Sequence, residues 1–378
     1  MRHTRRTVKH SLRKGWNALQ PALRWPRWWT AVVLRKLLFR TRFVAITGSN
    51  GKTTATRYLA AILSDEAPTQ WTRLNRNSEG GITETIAFCR PWKTRFAVFE
   101  VGFGVVGSID RFARLIRPHV AAVLSVFLEH RAEAKDLETM AREKASLLKH
   151  LQAGGVAVLN ADDPRVAEMK PPPGCRVIRT GSAPEHDVRC ENVVSAWPDL
   201  LRFTVVAGGQ RQEIRTRLLG EHWVGTLLAV IAIARELGVP LDRIADSIAR
   251  VPPYPGRMQT VRLPSGAIAI RDEFKGSLHT VDAAFDVLRA AEARRRFIVF
   301  GDVAETKAKP RKRMARIGRE AAAMADFAVF VGDNAAHGER GALNGGMAPE
   351  RVRAFQDFEG AVDFLRPLLD ERDVILFK

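Results

Sequence analysis

No stretch of this sequence restricts its fold more than residues 42–54, Arg-Phe-Val-Ala-Ile-Thr-Gly-Ser-Asn-Gly-Lys-Thr-Thr. The apolar run Phe43–Ile46 predicts a short buried strand, and the apolar spacing from Thr54 to Leu63 predicts a helix. A glycine-rich turn between them points its backbone N–H groups and the helix N-terminus at one spot, which is an anion cradle. A lysine at position 52 would reach the β- and γ-phosphates of a nucleotide, and the Thr53 hydroxyl would ligate Mg²⁺. Gly48, Ser49, Asn50, Gly51, Lys52, Thr53 and Thr54 are therefore the candidate nucleotide-binding residues. The spacing is G-x-x-G-K-T, shorter than the common G-x-x-x-x-G-K-T.

Strand and helix patterns alternate along the rest of the chain, which predicts an α/β fold with mostly parallel sheets. Phe96–Glu100 is a strand pattern with a carboxylate at its C-terminal end, near the phosphate turn, where a hard Mg²⁺ needs oxygen ligands. His130 follows another apolar run, Ala121–Phe127, and a lone histidine there is ordinarily structural. Lys144 falls on a polar helix pattern over Leu137–Leu151, where a lysine is ordinarily solvated. Val101–Gly107 fits G-x-G-x-x-G, but no acidic residue follows about 20 positions on, so a dinucleotide site is not expected. Pro252-Pro253-Tyr254-Pro255-Gly256 is the clear linker, and Pro171–Pro173 reads as a loop. The linker divides an ATP-binding domain over residues 43–254 from a Rossmann-like domain over 255–378. Strand patterns at Arg296–Phe300, Phe327–Val331 and Val374–Phe377 supply the sheet of the latter.

In combination and in order, these motifs resemble the Mur ligases, the ATP-dependent amide-forming enzymes of peptidoglycan synthesis, and most closely the MurF branch that adds D-Ala-D-Ala. Thr47–Thr54 is similar to the family's ATP loop, and Leu74–Ile82 to its Asn-rich loop. Gly155–Pro164 is similar to its V-L-N-x-D-D-P signature, and Tyr254–Met258 to its P-G-R linker. The resemblance implies ATP and Mg²⁺ as cofactors. Thr53 and Glu100 would hold one ion; His130 and a carbamylated Lys144 would help hold a second. Arg257 and Asp272 would reach the nucleotide from the second domain. Two positions where the family has adenine-contacting asparagines hold Trp223 and Thr226, so Trp223 either stacks on adenine or belongs to the core. The implied activity joins a carboxylate, activated as an acyl phosphate, to an amine, on a cell-envelope precursor or a polymer. The competing readings are an NTPase or phosphotransferase on the same loop, and a non-catalytic binding protein.

Composition bears on one further point. The chain has 60 Lys+Arg against 41 Asp+Glu, yet residues 1–42 alone hold 12 Lys/Arg and no Asp or Glu. The rest of the chain is only mildly basic, so a nucleic-acid-binding body is not expected. Where the relatives carry a UDP-sugar-binding domain, this sequence shows a basic segment with Trp16, Trp25, Trp28 and Trp29. Its apolar run is interrupted by Arg35 and Lys36 and is too short to span a bilayer. Such a composition suits a helix lying on an anionic membrane surface, a basic helix packed on the body or a leader, with a nucleic-acid contact the least expected reading. The family pattern continues through K-G-S beyond the last strand, so an acceptor pocket cut short at Lys378 is a further expectation. Three widely spaced cysteines, Cys89, Cys175 and Cys190, form no CxxC pair and fit a reducing cytosol.

Overall fold

The computed structural model describes residues 27–73, 75–127, 136–274, 278–302 and 310–378. His130 and residues 1–26 lie outside them.

The first sheet is built around β1 (Arg42–Thr47), whose five residues after Arg42 are all buried. Burial on both faces is what a central strand of a parallel sheet requires, and its continuous apolar run meets that demand. It is flanked by β3 (Phe96–Glu100) and β4 (Val120–Val123), both parallel to it. With β2 (Thr69–Trp71), β5 (Val156–Asn160), β6 (Arg176–Gly181), β7 (Val188–Val194), β8 (Arg202–Ala207) and β9 (Gln210–Arg215), the order is β2-β3-β1-β4-β5-β6-β7-β8-β9. The sheet is mostly parallel, as expected, with β7, β8 and β9 joined antiparallel at one edge.

Helix α1 (residues 27–37) precedes β1. Helices α2 (Lys52–Glu66), α3 (Glu79–Phe88), α4 (Ser108–Ile116), α5 (Leu137–Ala145), α6 (Pro164–Ala167), α7 (Val224–Glu236) and α8 (Leu241–Arg250) complete the first domain. Ten of the thirteen residues of α7 are buried, so it is apolar all round and runs through the core, packed on α2. The opposite face of the sheet carries a second apolar cluster, which includes Phe43, Phe99 and Ile116.

This second cluster takes up one face of α1. Ala31 and Leu38 are buried in it, and Trp28 packs against it with the Arg111 guanidinium 4.3 Å from its ring centre. Arg35 stacks over Phe43 at 3.8 Å and donates to the carbonyls of Ile116 (2.7 Å) and Arg117 (3.0 Å). Residues 27–42 are thus packed on the body through one side. Among the described residues no helix is long and apolar enough to cross a membrane.

The chain leaves the first sheet after α8 and enters a second one at β10 (Gln259–Arg262). With β11 (Ile268–Arg271), β12 (Arg295–Phe300), β13 (Phe327–Val331), β14 (Val352–Phe355) and β15 (Asp373–Phe377) the order is β10-β11-β15-β12-β13-β14. Only β10–β11 is antiparallel. Helices α9 (Leu278–Ala290), α10 (Pro310–Ala322), α11 (Ala335–Asn344) and α12 (Phe358–Leu365) alternate with these strands, giving a Rossmann-like α/β domain.

Candidate active site

Neighbouring strands β3 and β4 lie on opposite sides of β1, so a crevice opens beyond their C-terminal ends. The glycine-rich turn sits there. Thr47 Oγ1 donates to the Val101 carbonyl (2.9 Å), and the Leu124 amide donates to Thr47 (2.9 Å). Ser49 Oγ accepts from the Phe127 amide (2.8 Å) and donates to the Phe127 carbonyl (2.9 Å). The Asn50 amide donates to Ser125 Oγ (3.1 Å). These clamps explain why β4 stops at Val123 although the apolar run continues: residues 124–127 hold the turn instead of a neighbouring strand. Gly51 has φ +83°, and a Cβ there would lie 2.4 Å from Thr226 Oγ1. Lys52 curls back over the turn, its Nζ donating to the carbonyls of Gly48 (2.6 Å) and Ser49 (3.1 Å).

A cavity of about 510 Å³ lies over this turn. Ser49, Asn50, Gly51, Lys52 and Thr53 line its floor, with Glu100 and Lys144 on one wall and Trp223 on another. Arg257 and Asp272 close it from the second domain. Gly48 and Thr54 are the two turn residues that do not line it; Thr54 is buried in α2. His130 lies outside the described residues.

Glu100 is buried at the end of β3. Its amide donates to Thr72 Oγ1 (2.7 Å), and its Oε1 accepts from Asn77 Nδ2 (2.8 Å). Its Oε2 is buried with no hydrogen-bond partner among the described residues. A desolvated carboxylate oxygen left open toward a phosphate cradle suits a hard divalent cation. Among the described residues no group of three or more His, Cys, Asp or Glu converges. An ion at Glu100 would therefore draw other oxygens from Thr53, water and the nucleotide, the usual Mg²⁺ pattern.

Lys144 departs from the expectation of a solvated lysine: it is 2 % exposed. The helix carrying it is α5, which ends at Ala145 rather than at Leu151. Its neighbour Glu143 accepts from the Gly107 amide (2.9 Å), which ties α5 to the loop after β3.

Trp223 ends a short 3₁₀ turn before α7 and is both core and cavity wall. Its ring lies 4.7 Å from His222, and its buried Nε1 has no partner among the described residues. Burial, with a smaller contribution from the Lys378 ammonium, lowers the His222 pKa to about 4, so this ring is neutral near pH 7. On the far wall, Asp272 accepts from the Met258 amide (3.2 Å) and is paired with Lys378 Nζ, which also donates to Thr280 Oγ1 (2.8 Å). Burial pushes the Asp272 carboxyl up and the Lys378 ammonium down, while each partner's charge opposes the shift. The Arg257 guanidinium lies 4.8 Å from the Phe274 ring centre and reaches Thr53 Oγ1 at 3.4 Å, bridging the two domains at the turn. The sequence alone assigns no site role to Ser125 or to the Lys378 side chain, since neither falls in a recognisable motif.

Sequence profiles of the Mur ligase middle domain and of the Mur ligase glutamate ligase domain match residues 46–234 and 256–378. The chain belongs to the Mur ligase family. It is 28% identical to the UDP-N-acetylmuramoyl-tripeptide–D-alanyl-D-alanine ligase of Mycobacterium tuberculosis, over 92% of this chain and 72% of that protein. The Escherichia coli ligase of the same name is 29% identical, over 77% of this chain and 64% of that one. Among solved structures, MurF from Acinetobacter baumannii superposes with a TM-score of 0.85 at 26% identity, covering 94% of this chain and 77% of that one. This Mur ligase fold thus extends over both domains.

Proposed function

We propose that the protein is an ATP-dependent ligase that joins a carboxylate to an amine, with a cell-envelope precursor or a related polymer as the carboxylate. The observation that carries this reading is that Lys52, Thr53, Glu100 and Lys144 line the same cavity as Arg257 and Asp272 of the second domain. One substrate oxygen attacks the γ-phosphorus of ATP, the bond to the β-phosphate oxygen breaks, and ADP leaves. The amine nitrogen then attacks the acyl carbon, phosphate leaves, and the nitrogen gives up a proton. Lys52 would exchange its backbone carbonyl partners for the β/γ-phosphates and neutralise charge on the transferred group. Thr53 and Glu100 would hold Mg²⁺, which supplies further charge neutralisation when bound. Carbon dioxide adding to the neutral amine of buried Lys144 would give an anionic carbamate and release a proton; with His130 it would hold a second ion. Arg257 and Asp272 would grip the nucleotide as the domains close, with Trp223 against the base.

The name of the relatives points to peptidoglycan synthesis, and an ATP-consuming reaction with three unpaired cysteines fits the cytosol. Residues 1–42, strongly basic and Trp-rich, would bring the protein to an anionic membrane surface. Phosphate release from ATP and Mg²⁺, measured over a panel of carboxylate–amine pairs, tests the ligase reading. Release is expected only with both partners present. Release with neither would favour a nucleotidase, and no ATP binding would exclude both. Lys52→Ala should abolish turnover while leaving the fold intact; unchanged turnover would reject the site.

A further inference from the structure

The outward side of α1 does not end in polar surface. Val33 and Leu37 are exposed there, and the chain continues into Phe39, which is 66 % exposed. Beside it lies a second exposed apolar group from a distant part of the sequence. Phe88, at the end of α3, is 62 % exposed, and Trp92 is 70 % exposed. The two are held together by hydrogen bonds: Thr41 Oγ1 donates to the Thr94 carbonyl (2.8 Å), and the Arg42 amide donates to the Arg95 carbonyl (2.8 Å). A groove of about 330 Å³ between α1 and α3, lined by Ala31, Thr83 and Ala87 among others, sets the two helices side by side.

Trp92 sits at the tip of a tight turn with φ +63°, a conformation that bulky side chains rarely adopt. The turn is fixed by the Thr94 amide donating to the Arg90 carbonyl (2.9 Å) and by the Arg90 amide donating to Thr94 Oγ1 (2.8 Å). A rigid, strained turn therefore carries a large aromatic ring into solvent. The two segments carry seven exposed cations, Arg27, Lys36, Arg40, Arg42, Arg90, Lys93 and Arg95. Residues 27–42 and 85–95 contain no Asp or Glu, and no carboxylate among the described residues pairs with any of these seven. Residues 1–26 would add seven more cations and no acid.

Exposed aromatic and aliphatic side chains on the same segments as cations that no described carboxylate pairs complement the interface of an anionic bilayer, where apolar groups enter the acyl boundary and cations meet the headgroups. We infer that α1 and the turn over residues 88–95 form one preassembled docking face for an anionic lipid bilayer. This rests on the membrane reading of residues 1–42 and extends it to a folded surface of the body. Its orientation follows from the sheet. Thr41 and Thr94 precede β1 and β3, so the face lies at the N-terminal edge of the strands, while the cavity lies at their C-terminal ends. Docking leaves the cavity open to solvent on the side away from the lipid.

The test uses the full chain and vesicles of phosphatidylcholine with or without phosphatidylglycerol. Wild type should co-sediment only with the anionic vesicles. Phe39→Ser with Trp92→Ser, and separately Arg90→Glu with Lys93→Glu, should each lower partitioning by about tenfold or more, with unchanged thermal unfolding. Wild-type binding that both pairs of substitutions leave intact would overturn the docking face and leave the reading of the basic segment standing. No binding by wild type would remove both. A concentration-dependent dimer that the same substitutions abolish, without vesicle binding, would assign the face to a second copy of the chain instead.

Discussion

At Gly51 the chain must do two things that any other residue does badly. It turns through φ +83° directly before α2, and it leaves room for Thr226 of α7. Gly51→Ala should destabilise the protein by about 1–3 kcal/mol through backbone strain and contact with Thr226, and should weaken ATP binding because the cradle shifts. Urea unfolding and calorimetric titration with ATP check both; normal affinity would mean that the turn tolerates another path. His119 carries a different kind of constraint. The Phe43 amide donates to its Nδ1 (3.0 Å), so the neutral ring holds its proton on Nε2. Burial first, then Arg42 and Arg35, lower its pKa to about 4. The unfolded chain takes up this proton near pH 6.5, the folded one only near pH 4. Stability from neutral His119 is therefore fully present above about pH 6.5 and is lost as pH falls toward 4. His119→Asn should flatten that part of the stability profile relative to wild type. Parallel profiles would show that His119 does not contribute.

Elements differ in how well the sequence announces them. Phe327–Val331 is an apolar run and forms a strand with those bounds, and the phosphate turn with its flanking strand and helix was legible because each part has its own chemistry. The antiparallel strands β8 and β9 were not. In β9 only Ile214 is buried, so nothing apolar marks the strand; its partner β8 supplies the order. Lys144 was misleading for the same reason. Its helix has polar neighbours, and its burial comes with the packing of α5 against α4 and α6. Helix α1 shows what decides such cases. Its sequence allowed several fates, and a single side chain does much to fix one. Arg35 caps the last carbonyls of α4 and lies on Phe43, and although burial lowers its pKa to about 10 it stays charged near pH 7. Arg35→Ala should cost about 2–4 kcal/mol from the lost charged hydrogen bonds and ring contact. It should also open residues 27–42 to limited trypsin digestion. Undiminished protection would mean that the apolar face of α1 holds it unaided.

Taken whole, the molecule divides its labour between a first sheet that carries the turn and a second that brings Arg257 and Asp272 over it. The two are built in very different ways along the chain. In the first sheet β1 lies between β3 and β4, so its neighbours are made within about 80 residues of it. In the second, β15 fills the place between β11 and β12, and its partner β11 precedes it by roughly a hundred residues. During synthesis, then, the first domain can close while the second still lacks the strand at its centre, with two unsatisfied strand edges facing a gap. Nascent chains stalled before residue 373 should show residues 42–250 resistant to brief proteolysis and residues 259–372 digested; equal resistance would disprove this order of assembly. The ribosome would thus release a finished nucleotide cradle first, and the second wall would form only once β15 had emerged to fill the gap between β11 and β12.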